Sequence, residues 1–191
     1  MKKTHLVTIL ALVPAMAHAH TGHHLAQGGF GWGMAHPFSG ADHLLAMFAV
    51  GLWAAQLGGR ALALLPASFL SSMAAGAALG AAGFPLPFVE PGVLAGAILV
   101  GAFLAFAKPL PSSVAAVVTG GVAIFQGQAH GLEMPAGVGG LETAAGFLLG
   151  SGLLILAGLL IGFALKSQAR QSALRLAGAA IICFALLSAL L

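Results

Sequence analysis

The chain has 191 residues, of which 60% are hydrophobic and only 6% charged, and its formal net charge is +3. Soluble domains carry about 25% charged residues, so this composition excludes a soluble enzyme or binding module and points to an integral membrane protein. A single cysteine excludes a disulfide framework or a thiolate metal site, and the sequence has no basic patch for nucleic acid and no Walker-type glycine loop for ATP.

Residues 1–19 have the pattern of a secretory signal peptide. Lys2 and Lys3 precede a short apolar core from Leu6 to Met16, and Ala17-His18-Ala19 supplies the small-x-small cleavage signature. That core is far shorter than the roughly 20 residues a membrane span needs. Cleavage after Ala19 would leave residues 20–35 as a periplasmic segment beginning His20-Thr21-Gly22-His23-His24, a tract able to chelate a metal ion.

Six apolar stretches follow, at 41–57, 61–82, 92–107, 113–130, 141–165 and 172–191. Glycine and proline punctuate the breaks, as in Gly58-Gly59-Arg60 and Lys108-Pro109-Leu110-Pro111. The pattern predicts an all-α membrane protein, with a six-transmembrane-helix bundle over residues 36–191. Arg60, Lys108, Lys166, Arg170 and Arg175 gather at the first, third and fifth connections or their edges, whereas Glu90, Glu133 and Glu142 gather at the second and fourth. The positive-inside rule then places both mature termini in the periplasm. It also brings the start of the first span and the end of the fourth to the same outer face. The pairs Gly76/Gly80, Gly92/Gly96, Gly127/Gly131, Gly146/Gly150 and Gly158/Gly162 have the spacing that lets helix backbones approach closely. An echo between Phe38-x-Gly40-x-x-His43 and Phe125-x-Gly127-x-x-His130 hints at two inverted three-helix halves.

Those two meeting points are where the ionisable residues sit. The first is His36-Pro37-Phe38-Ser39-Gly40-Ala41-Asp42-His43, and the second runs from Phe125 to Pro135. An Asp at a helix centre costs about 2.5–3.5 kcal/mol on insertion scales, so two compact polar groups in such a chain imply use. If the first turn is already helical, His36 and His43 share one face with Met47 a turn below. Ser39 and Asp42 also have the spacing of an acidic capping box, which would account for Asp42 but not for two histidines. In the second cluster Gln126, His130, Glu133 and Met134 fall on one helical stripe, and Gly131 and Pro135 predict that the helix loosens there. Imidazole with carboxylate suits a borderline divalent ion such as nickel, cobalt or zinc. The expected ligands are His36, Asp42, His43, His130 and Glu133. Trp32 and Trp53 read as interfacial anchors, Cys183 as a small core residue, and Met73 and the phenylalanines as packing.

The strings H-P-F-S-G-A-D-H and F-Q-G-Q-A-H-G-L-E-M-P resemble the two signature motifs of the HupE/UreJ family of bacterial inner-membrane nickel/cobalt permeases. His36, Gly40, Asp42, His43, Gly127, His130, Gly131 and Glu133 match position by position, and the likeness spans the mature chain. The chain departs at Gln126, where the family usually has His, and an amide is the poorer metal ligand. The resemblance implies nickel or cobalt supply, often for hydrogenase or urease assembly.

The reading that follows is a permease without a resident cofactor, whose cargo is Ni2+ or Co2+ and whose surroundings are the lipid bilayer. A doubly charged ion gains about 4.6 kcal/mol per 100 mV of membrane potential, roughly three orders of magnitude in accumulation. Two rivals are a membrane cytochrome with His43 and His130 as axial haem ligands, and a membrane-embedded metal hydrolase with Glu133 as general base. The sequence lacks the H-E-x-x-H pattern of many such hydrolases.

Overall fold

The computed structural model describes residues 28–134, 140–165 and 168–190; the predicted leader and the group His20, His23 and His24 lie outside them. Among the described residues every regular element is helical. Helix α1 (Phe30–Ala35) runs into a 3-10 turn (His36–Phe38), followed by α2 (Ala41–Leu57), α3 (Ala61–Ala81), α4 (Val89–Phe106), α5 (Ser112–Glu133), α6 (Gly140–Ala164) and α7 (Gln168–Ser188). The limits of α2 to α7 fall within a few residues of the predicted stretches because the punctuation is local. Gly58 ends α2 at φ 70°, a left-handed conformation that costs glycine little, and Pro111 caps α5 at φ −55°.

Helix α2 is the axis of the structure. Ala46, Met47, Ala49, Val50, Leu52, Trp53, Ala54 and Ala55 are all buried, so the helix is enclosed on every side. It packs against α6, α4, α3 and α7. Trp53 is fully buried and stacks on Phe103 with ring centroids 5.0 Å apart and planes 7° from parallel. It is a core residue and not the interfacial anchor expected from its place near a helix end. Cys183 departs in the other direction: it lies exposed on the peripheral α7.

Glycines set the closest approaches. A Cβ added at Gly127 would meet the carbonyl oxygen of Met73, and one at Gly131 that of Ala77. Gly76 and Gly80 return the contact from α3 onto the carbonyls of Ile124 and Gln128, so α3 and α5 lie backbone against backbone. The other extensive pairings are α2 with α6, α1 with α6 and α4 with α7. Exchanging α2-α3-α4 for α5-α6-α7 carries the α3–α5 pair onto the α6–α2 pair and returns α4–α7 to itself.

The outward surface is apolar. Leu64, Leu99, Phe106, Leu153, Leu160, Leu176 and Leu187 are exposed, as befits helices that face lipid. Four helical stretches are long and apolar enough to cross a membrane, Ala61–Ala81, Val89–Phe106, Gly140–Ala164 and Gln171–Ser188; the bent pair Phe30–Phe38 and His43–Leu57 makes five if it counts as one span. The chain is therefore a multi-pass membrane protein. Six spans were expected; α2 qualifies only together with the bent segment before it, and α5 falls short even then. It has 22 residues, ample for a crossing, but Thr119, Gln126, Gln128 and His130 dilute its apolar character. All four of those side chains are buried against protein.

Candidate metal centre

The end of the bundle that carries the ligand clusters is built by docking α1 on α6. A Cβ on Gly33 would meet the backbone of Thr143 and Phe147, and Gly146 and Gly150 would meet the carbonyl oxygens of Phe30 and Met34. The amide of Gly29 donates to Oγ1 of Thr143 at 2.7 Å, fixing the start of α1. This helix lies within residues 20–35, expected from sequence as a histidine-containing periplasmic segment with no helix assigned to it.

Past α1 the chain turns sharply. The axis of Phe30–Phe38 meets that of His43–Leu57 at 78°. Gly40 is extended at φ −107°, ψ 121°, and the Ser39 hydroxyl donates to the His36 carbonyl at 2.6 Å. The hydroxyl thus holds the preceding turn instead of capping α2. The single helical face expected to carry His36, His43 and Met47 is therefore broken between the two histidines. The bend still serves convergence: the His36 ring lies 5.1 Å from that of His130, and the His43 ring 4.5 Å from it.

From the other side, α5 brings up His130 and ends at Glu133, with Met134 leaving in an extended conformation at ψ 127°. The helix stops where Gly131 and Pro135 predicted. His36 Nε2 and Glu133 Oε2 are 3.1 Å apart although 97 residues separate them in sequence. His36, His130 and Glu133 each present a ligand atom, all within 4.8 Å of one another. Of the other expected ligands, His43 abuts His130 but stands outside this group of three, and the side chain of Asp42 lies outside the described part. Gln126 is fully buried, one helical turn before His130 on α5.

Burial is graded across the three. Glu133 is 56% exposed, His36 19% and His130 6%. A cation arriving from solvent meets the carboxylate first and the buried imidazole last. Two imidazoles and a carboxylate form an N, N, O donor set suited to borderline divalent transition ions. Without an ion the same groups make an ordinary histidine–carboxylate pair. Beside them lies a largely apolar cavity of about 340 Å³, with His36 and His130 in its wall together with Met73, Ala77, Leu141 and Phe147.

Two aromatic neighbours escaped the reading from sequence. Phe147 lies 4.1 Å from the His130 ring and 5.9 Å from the His36 ring, and Trp32 lies 4.6 Å from His36. The four-residue spacing from Trp32 to His36 would have exposed the second had residues 30–35 been read as helix. Phe147 had no such signal, because α6 is apolar almost throughout.

The family model described as "HupE / UreJ protein" matches residues 7–188. "Protein HupE" of Rhizobium leguminosarum bv. viciae is 40% identical over 183 residues, covering 95% of each chain. No solved structure matches.

Proposed function

The chain belongs to the HupE/UreJ family, and from that membership we propose that it is a bacterial inner-membrane permease for a divalent transition-metal ion, nickel or cobalt. The observation that carries the reading is the meeting of His36, His130 and Glu133 within 4.8 Å, although His36 and Glu133 are 97 residues apart in the sequence. In this reading the ion exchanges part of its water shell for the Glu133 carboxylate and the His36 imidazole at a periplasm-facing mouth. It then passes to His130 and His43, with Asp42 and Glu133 offsetting its charge. The membrane potential drives entry, and the sequence holds no motif for ATP.

The topology belongs to the same proposal. Helix α5 makes the sixth crossing with its polar side chains turned to protein, and the correspondence of the α3–α5 and α2–α6 pairs supports two inverted halves, while the packing of α2 on α4 has no comparable counterpart between α5 and α7 among the described residues. The signal peptide, the periplasmic termini and a contribution to hydrogenase or urease maturation follow from the same reading. The rivals lack support. With the His43 and His130 rings 4.5 Å apart, no gap remains for a haem plane between them, and no feature of the site favours hydrolysis.

The experiment is uptake of radiolabelled nickel by cells producing His36→Ala, His43→Ala or Glu133→Ala. Each substitution should abolish uptake while membrane insertion stays intact, and unchanged uptake in all three would remove the site. Competition by cobalt, zinc and manganese identifies the preferred ion.

A further inference from the structure

One helical turn further into the bundle lies a second polar layer. Gln126 precedes His130 by four residues on α5, Ser151 follows Phe147 by four on α6, and Met47 follows His43 by four on α2. Residues four apart share a helix face about 6 Å along its axis, so each of the three lies one turn inward of its ring-bearing neighbour on the same helix. All are completely buried. Both amide atoms of Gln126 and the hydroxyl of Ser151 lack a hydrogen-bond partner among the described residues. Buried polar atoms are nearly always paired because leaving them unpaired is costly. Packing alone gives no reason to hold an amide and a hydroxyl here, since Leu and Ala would fill the same space without that penalty.

We propose that Gln126 and Ser151 form a second station for the transported ion, receiving it from His130 and His43 through neutral oxygen donors. The inference rests on the permease reading above. A station without charge holds a divalent ion more weakly than the carboxylate-bearing mouth, which is what onward movement requires. Met73, with a polarisable thioether, lines the cavity whose wall includes His36 and His130. Gln126 and Ser151 carry no acid and offer harder oxygen donors than the imidazoles of the mouth, so selection for a borderline ion rests with the mouth and the inner layer serves release.

The test uses the full chain in membranes and reads capture and transport separately. The chain has only two tryptophans, and Trp32 lies 4.6 Å from His36, so in a Trp53→Phe background its quenching by nickel reports occupation of the mouth. Gln126→Leu and Ser151→Ala should leave the quenching midpoint unchanged and lower the maximal uptake rate about tenfold, the loss of one oxygen donor to the ion at that step. Gln126→His, which keeps a donor atom at the position, should retain near-normal uptake. A purely structural role predicts the reverse order, with Leu tolerated better than His. Wild-type uptake in Gln126→Leu and Ser151→Ala would overturn the proposal and leave the permease reading standing. Should Gln126→Leu fail to reach the membrane, Ser151→Ala, which removes one oxygen, decides alone. Unaltered protein that shows quenching but moves no metal would overturn the permease reading, and this one with it.

Discussion

Replacing Gly33 by alanine adds one methyl group where α1 touches α6. The new carbon would lie 2.9 Å from the carbonyl carbon of Thr143 and 3.1 Å from the amide nitrogen of Phe147, and closer still to the Thr143 carbonyl oxygen. These are backbone atoms of a packed helix, with no rotamer to escape into. Ordinary carbon contacts are about 3.5–4.0 Å, so α1 must withdraw by about an ångström. His36 follows α1 directly, and its 3.1 Å contact with Glu133 stretches beyond hydrogen-bonding reach. Overpacking of this kind costs about 1–3 kcal/mol, which becomes a weakening of nickel binding by about 5- to 150-fold if the whole cost falls on the site. The assay is nickel quenching of Trp32 fluorescence in the purified Trp53→Phe protein. Gly31→Ala is the matched control: it lies on the same helix, a Cβ there meets nothing within 4 Å, and alanine raises helix propensity. Equal midpoints for Gly33→Ala and the parent, or an equal loss in Gly31→Ala, would refute the claim that this contact positions His36.

Thr143→Val keeps the shape of the side chain but removes the acceptor for the Gly29 amide, 2.7 Å away; it should weaken α1 docking by about 1 kcal/mol, seen as faster proteolysis near residue 28 with the melting of the bundle unchanged. Trp53→Ala empties a fully buried position against Phe103 and should cost about 3–5 kcal/mol, lowering the Tm in detergent. A melting curve indistinguishable from the parent would contradict the assignment of Trp53 to the core.

The helix limits were legible because glycine and proline mark them locally, and convergence of the two ligand clusters was legible from parity and charge: an even-numbered helix must return to the face an odd-numbered one left. What was hidden depended on partners distant in sequence. A tryptophan at a helix end reads as an anchor unless it is known that α2 has lipid on no side, and that enclosure is set by four neighbouring helices at once. Cys183 was misplaced for the complementary reason, since α7 packs only along one face and leaves the thiol outward. The bend at Ser39 and Gly40 was obscured because Pro37 is compatible with an uninterrupted first turn. Helix α1 is six residues long and half of them are glycine or alanine, so it shows little periodicity and owes its form to docking on α6.

The pairing of α3 with α5 also bears on biogenesis. A nascent α5 carrying two buried glutamines and a histidine partitions poorly into lipid by itself, whereas Gly76 and Gly80 of α3 offer it a closely fitting neighbour already in the bilayer. Integration of the two helices is then cooperative, with the earlier one acting as an internal chaperone for the later. Glycosylation mapping should show α5 integrating efficiently behind native α3, and slipping back out when bulky residues replace those two glycines.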